Sequence, residues 1–464
     1  MKKLRKENSI TIINIISSFI LQGIAFLTTP VFTRMLGTEQ FGLYSLFNSW
    51  LLIITCVMGL GIHASIGTGY YNFKEKYCEF RNSILLFSTI ICLIESLILI
   101  MFMSYFNKYV GFNETVIVLL VVCAFGKYIV NFVQNAYIYE KKAMENFILS
   151  VGIAIFSVSL SILFISLLEK NQRYMGRIYG VVLIYIIASI LVWISFIKKG
   201  KVRLEKKYLQ YGIVVGFPIV FHSLSQNILA QSDRVMMKTM GISTSEIGIY
   251  SLFYTLSTVL SIILNALNNS WCPFYYDDIN EKRWDILNKK CKNYIELFTV
   301  LSVGFILLSR EISYLMADKS YWSGIDILPI LAIAVYFTFM YQFPVNFEFF
   351  HKKTKTIAIG TVGAGILNII LNTFMIPKWG MYGAAIATAI SYLALFFMHY
   401  YIVKNLKEQR YHLSAKIFIP GLIGMIVASI AFYIFSSWWY IRWAIGVILG
   451  CIELHRIYKR KTIF

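Results

Sequence analysis

Lys127 stands in the middle of the apolar run TVIVLLVVCAFGKYIVNFVQNAY, residues 115–137, with Asn131, Gln134 and Asn135 one and two helical turns further along the same face. An ammonium group in such a setting has two chemical uses. It can pair with an internal carboxylate, for which Glu95 in the run at 82–106 is the candidate, or it can hold a mobile anion together with Arg34, Arg234 and Lys238. Other polar residues recur inside equally apolar runs: Asn14, Ser18 and Gln22; Tyr44, Asn48, Thr55 and His63; His222, Gln226, Asp233 and Arg234; and Thr258, Ser261, Asn265, Asn268 and Asn269. The first and last groups keep intervals of three and four, one stripe of a helix each. Stripes of this kind either hold helices together, at an average of about 0.6 kcal/mol per contact, or line a wet cavity. Four together favour the cavity, and the candidate lining residues are Asn14, Ser18, Gln22, Arg34, Asn48, Lys127, Asn131, Gln226, Asp233, Arg234, Asn265 and Asn269.

Groups for catalysis are not assembled. Six histidines are scattered without an i, i+4 pair, and the sequence holds neither a glycine-rich phosphate loop nor HExxH, so no catalytic residue, metal or cofactor is expected. Asp277, Asp278 and Glu281 in PFYYDDINEKRW read as a solvated helix end. The cysteines, Cys56, Cys78, Cys92, Cys123, Cys272, Cys291 and Cys451, all avoid the expected outer loops, which implies no disulfide framework.

The elements that must carry these residues follow from composition. Of 464 residues, 58% are hydrophobic and 14% charged, with a mean hydropathy of +0.67, whereas a soluble domain is about 25% charged. Runs of about twenty apolar residues, enough to cross about 30 Å of hydrocarbon, occur at 9–29, 41–62, 82–106, 115–137, 148–168, 178–197, 212–232, 248–270, 293–316, 325–347, 357–376, 381–402, 417–436 and 438–455. The expectation is an all-α integral membrane protein of about 14 transmembrane helices, the first a retained helix rather than a cleaved signal. With the N-terminus inside, about thirty-one basic residues fall in inner segments and about eleven in outer ones, which places both termini in the cytoplasm. The richest inner runs are KKGKVRLEKK at 198–207 and KNLKEQR at 404–410. The inner basic residues together account for most of the net charge of +20 as anchors on anionic headgroups, without nucleic acid as a partner.

The chain also repeats itself. LGTEQFGLYSLF at 36–47 and MGISTSEIGIYSLF at 240–253 place Gly42 and Gly248 206 residues apart; YEKKA at 139–143 and FHKKT at 350–354 are offset by 211; Tyr179-Gly180 and Tyr382-Gly383 by 203. An even number of spans separates the copies, so the halves are parallel six-helix repeats with two extra C-terminal helices. The expected domains are 1–200, 201–410 and 411–464. Tyr44, Tyr250 and Tyr254, near the start of the repeated second and eighth spans, suit either stacking on sugar faces or packing.

NIISSFILQGIAFLTTPVFTRMLGTEQFGLYS from residue 14, QSDRVMM from 231, EKKA, HKKTK and PKWGMYGAAIATAIS from 377 resemble the polysaccharide exporters of the oligosaccharide flippase (Wzx) type. These belong to the multidrug/oligosaccharidyl-lipid/polysaccharide exporter superfamily, and the resemblance covers spans one to twelve. It implies a V-shaped fold with a cavity lined mostly by the first, second, seventh and eighth spans. The implied task is to move undecaprenyl-diphosphate-linked oligosaccharide from the inner to the outer leaflet of the bacterial cytoplasmic membrane by alternating access. Polymerase and glycosyltransferases of the same pathway would be its partners, beside the lipid bilayer itself.

The residues discriminate among substrates. A drug exporter for organic cations should carry carboxylates in its first-lobe cavity, whereas this sequence puts Asn14 and Gln22 in span one and a lysine in span four, so anion handling is favoured. The other alternative, a membrane polymerase or glycosyltransferase, needs acids or histidines on a sizeable outer loop, and the expected outer loops are short. Export of a diphosphate from a negative interior can be driven by membrane potential; coupling to H+ or Na+ through Asp233 or Glu95 stays open beside it.

Overall fold

The structure, a computed structural model, describes residues 2–197, 203–406 and 413–464. Residues 198–202 of the basic run at 198–207 and 407–410 of KNLKEQR lie outside the described residues. Among those described, every regular element is helical. In chain order they are α1 (Lys2–Val57), α2 (Ser65–Asn72), α3 (Tyr77–Met101), α4 (Met103–Val110), α5 (Glu114–Tyr139), α6 (Ala143–Leu167) and α7 (Arg173–Ile197). There follow α8 (Lys206–Thr239), α9 (Thr244–Asn280), α10 (Trp284–Met316), α11 (Leu328–Phe350), α12 (Thr354–Lys404), α13 (Ile419–Ile434) and α14 (Trp439–Arg460).

Ten stretches of the described residues are long and apolar enough to cross a membrane. Two of them are far too long for one pass, at 61 residues (Ile12–Asn72) and 51 residues (Thr354–Lys404), since 20 residues of helix already span about 30 Å. Each contains a break. α1 departs from helical geometry at Gly37 (φ 68°) and α12 at Gly380 (φ 51°), so each delivers two of the expected spans. The expected spans 293–316 and 438–455 correspond to α10 and α14, which are absent from the ten. Both carry charge, and the charge is paired between them: the Arg442 guanidinium meets Glu311, to which Trp443 also donates at 3.2 Å, and Arg460 meets Glu296 at 2.6 Å. Arg442 is fully buried, so the pair neutralises a charge that hydrocarbon would not accept alone.

Compactness divides the chain into two units, Met1–Gly248 and Ile249–Phe464. This division follows packing, with α8 against α1, whereas the repeat groups α8 with the second half by sequence. The core of the first unit joins α1, α3 and α5 through Phe47, Ile84, Leu120 and Phe132, all essentially inaccessible.

The repeat is written into the backbone. Lys141 and Lys352, at the offset of 211 read from EKKA and HKKT, both adopt left-handed φ, 57° and 58°. Both turns close identically: Lys142 N donates to Tyr137 O and Lys353 N to Glu348 O, each at 2.9 Å, the six-to-one bond that ends a helix in a Schellman motif. A further correspondence explains the duplicated glycines. A Cβ on Gly42 would lie 1.9 Å from the Thr244 carbonyl oxygen, and one on Gly248 would lie 2.0 Å from that of Thr38. Within the first unit, residues 38–42 and 244–248 thus cross backbone against backbone through reciprocal positions, with Ser245 donating to Thr38 at 2.7 Å. Only glycine permits this approach.

The second pass ends differently from its plain hydrophobic pattern. Gly59, Leu60 and Gly61 are consecutively left-handed, inside a 3₁₀ segment Met58–Ala64 that interrupts the helix. The freed Gly59 N–H donates to Glu95 Oε2 at 2.7 Å. An apolar environment demands such an acceptor, because no water can supply one.

Candidate functional site

Lys127 opens into a cavity of about 310 Å³ inside the first unit. α5 presents Lys127, Val130 and Gln134 at helical spacing; α1 contributes Tyr44 and Asn48; α6 adds Ser150 and Ser157; α7 adds Tyr185. The Tyr185 ring centroid is 5.9 Å from Lys127 Nζ, and Gln134 Nε2 donates to Ser150 Oγ at 2.7 Å. The cavity therefore offers one cation among neutral hydrogen-bonding groups and two tyrosine rings. Among the described residues no carboxylate pairs with Lys127. A lysine at such depth costs about 2.5–3.5 kcal/mol even on the mildest scale, and the uncompensated charge attracts an anion.

The structure corrects the alternative of a Lys127–Glu95 pair. Glu95 is spent on the Gly59 amide and lines a separate, otherwise apolar recess with Ile53, Val57 and Leu99. It also corrects the reading of Asp278 as part of a solvated helix end. The left-handed turn at Lys282 folds α10 back, so that Asp278 is fully buried between Arg283 at 2.8 Å and Lys290 at 2.6 Å.

The remaining candidates disperse. On α1, Asn14 and Ser18 are exposed, with the Ser18 hydroxyl bonded to the Asn14 carbonyl at 3.0 Å, while the Gln22 Oε1 is buried without a hydrogen-bond partner. Arg34 and, on α8, Gln226 are exposed; the His222 side chain lies outside the description. Asp233 and Arg234 are buried, and Arg234 donates to Gln231 Oε1 at 3.3 Å, which also accepts from Ser49 at 3.0 Å. Asn131 is half-buried one turn beyond Lys127, its carbonyl accepting from Asn135 at 3.1 Å. In the second unit, Asn265 and Asn269 are exposed on α9, and the half-buried Asn268 accepts from Asn346 at 2.9 Å. Of the twelve candidates, Asn48 and Lys127 share the cavity.

The second unit carries a crevice of about 70 Å³ lined by Tyr254, Ser257, Thr338, Thr388 and neighbours. Its lining corresponds to the first unit's cavity by the repeat offsets: Asn48 to Tyr254 (206), Lys127 to Thr338 (211), Tyr185 to Thr388 (203). Both halves thus keep the crevice, but the larger and charged one is in the first unit. Tyr44 and Tyr254 line these cavities, whereas Tyr250 is fully buried.

Sequence reasoning missed three groups. Arg177, at the expected edge of span six, is stacked on Phe32, 3.2 Å from the ring centroid, and lies 4.9 Å from that of Tyr44. Glu348 and His399 form a buried pair at 2.5 Å, to which Thr356 also donates. On α12, Asn372 donates to Asn368 at 3.0 Å, and Asn368 to Thr388 at 3.4 Å. The i, i+4 spacing of Asn368 and Asn372 was visible in the sequence; the Glu348–His399 pair, 51 residues apart, was not.

A family described as polysaccharide biosynthesis protein matches residues 9–276, more than half of the sequence. The chain belongs to that family. As a polysaccharide biosynthesis family member, it is 23% identical over 423 residues to the "Lsg locus putative protein 1" of Haemophilus influenzae, covering 87% of this chain and all of the relative. It is 21% identical to an uncharacterised membrane protein of Methanocaldococcus jannaschii, with 89% and 86% covered. Its fold superimposes on "Lipid II flippase MurJ, inward closed conformation" with a TM-score of 0.74 at 18% identity, covering 96% of this chain and 98% of that one. An inward-facing multidrug transporter of the MATE family gives 0.61 at 13%, with 88% and 95% covered. The fold is that of the exporter superfamily expected from the sequence.

Proposed function

We propose that the protein is a transporter, not an enzyme, that carries undecaprenyl-diphosphate-linked oligosaccharide from the inner to the outer leaflet of a bacterial cytoplasmic membrane by alternating access. The observation that carries this reading is Lys127, without a carboxylate partner among the described residues, in the cavity of the first unit, with amides and hydroxyls beside it and tyrosine rings at its walls. A diphosphate supplies the charge such a lysine lacks, and sugar hydroxyls suit Asn48, Gln134 and Ser157. An organic cation would meet repulsion in the same place. The family membership and a fold shared with a lipid II flippase support the substrate class. Membrane potential is the proposed driving force, since each elementary charge crossing the field is worth about 2.3 kcal/mol per 100 mV. A polymerase and glycosyltransferases working on the same lipid are the proposed pathway partners.

The test uses purified protein in proteoliposomes with a fluorescent, diphosphate-linked sugar lipid. Reorientation between leaflets without any new glycosidic bond is expected. Chain growth, or no reorientation above protein-free liposomes, contradicts the proposal.

A further inference from the structure

We propose that Arg177 is the second cation of the anion site begun by Lys127, and that the pair holds the two phosphoryl groups of a lipid diphosphate. This deepens the reading above and rests on it. Arg173 and Arg177 lie four residues apart at the start of α7, on one face, yet their surroundings differ. Arg173 Nη1 donates to the Met35 carbonyl at 3.0 Å, and its Nε is buried without a partner. Arg177 lies against the faces of Phe32 and Tyr44, and its Nε and Nη1 are buried without a hydrogen-bond partner. A guanidinium stays charged at any physiological pH and offers five donors. Held between two rings, with Tyr44 also its hydrogen-bond partner, it keeps Nε and Nη1 for a further acceptor.

Tyr44 connects the two cations. Its ring lies 4.9 Å from the Arg177 guanidinium and also lines the Lys127 cavity. No carboxylate among the described residues pairs with either cation. The repeat supplies an independent argument against a packing role. The position corresponding to Lys127 in the second half is Thr338, so the architecture is built there without that charge, while Arg177 falls opposite the helix break at Gly380. Lysine as a point charge and arginine as a planar fork together fit an anion with two phosphoryl groups better than one.

The experiment is titration of full-length protein in lipid nanodiscs, followed by intrinsic tryptophan fluorescence, with farnesyl diphosphate, farnesyl monophosphate, farnesol and inorganic pyrophosphate. Wild type is expected to prefer the diphosphate lipid to the monophosphate by tenfold or more. Arg177→Gln should weaken diphosphate binding about tenfold and remove that preference, leaving farnesol unaffected; Arg173→Gln should change neither. Arg177→Lys, which keeps the charge, should retain part of the preference and serves alone if Arg177→Gln does not fold. Equal weakening of diphosphate and farnesol in either Arg177 variant, or wild-type diphosphate affinity in Arg177→Gln while Lys127→Gln has lost it, overturns the inference and leaves the transport reading standing. Pyrophosphate binding as tight as farnesyl diphosphate overturns the assignment to a lipid. No preference of wild type for farnesyl diphosphate over farnesol brings down the transport reading as well.

Discussion

At the scale of single residues, the deciding quantity is where each charge inside the apolar segments finds its counterpart. Arg442 has Glu311, Arg81 has Glu140, and Glu348 has His399. Lys127 has no carboxylate partner among the described residues. Glu95 serves a backbone amide, which yields a graded prediction. Glu95→Gln keeps an acceptor for Gly59 N–H and should unfold close to wild type, whereas Glu95→Leu leaves a buried donor unmade, at about 1–3 kcal/mol. Thermal unfolding in detergent measures the difference, and equal loss in both variants would contradict a capping role. Lys127 was legible in the sequence because a lone cation amid 23 apolar-rich residues is conspicuous. The partner of Glu95 was not, because the need for an acceptor arises from the left-handed run at 59–61, and hydrophobic patterning carries no record of backbone handedness. Arg177 was hidden by position, since a basic residue at a span's edge ordinarily marks the membrane interface.

At the scale of elements, the sequence was most informative where it repeats. The EKKA and HKKT strings became turns with matching dihedrals, and the paired glycines became a reciprocal crossing. Their close contact explains why both strings keep glycine, a reason that spacing alone did not reveal. Gly42→Val should therefore fail to reach wild-type stability, because its Cβ meets backbone oxygen rather than a movable side chain. Overpacking of this kind costs about 1–3 kcal/mol or more; a wild-type melting temperature would refute the crossing. α10 and α14 were read as spans despite their charges, and the charges proved to face one another. Arg442→Gln strands Glu311 and is expected to destabilise the protein by about 3–5 kcal/mol. Arg442→Gln combined with Glu311→Gln should recover part of the loss, and no recovery in thermal unfolding would argue against the pair.

At the scale of the whole molecule, positions related by the sequence repeat line a crevice in each unit and differ in charge. The crevice of the second unit is small and neutral; that of the first is larger and cationic. Composition and the repeat made the membrane class and the helical architecture readable from the sequence alone. What the sequence concealed was which of the twelve polar candidates converge, because helical spacing fixes a face but not the neighbour it meets. If both charges of a diphosphate cross the full field, export gains about 4.6 kcal/mol per 100 mV, taking about 2.3 per charge. Collapsing an inside-negative potential in proteoliposomes should then slow outward flipping, and an unchanged directional rate would rule out potential as the driving force.

The most direct test of the central claim compares wild type, Lys127→Arg and Lys127→Gln in flipping of a fluorescent diphosphate-linked sugar lipid, each reconstituted at equal folded amount. Loss of a charge-assisted contact worth about 1.5–3 kcal/mol predicts that Lys127→Gln flips about ten- to a hundredfold more slowly, with Lys127→Arg retaining part of the rate. A Lys127→Gln variant that is as well folded and as fast as wild type would contradict the account.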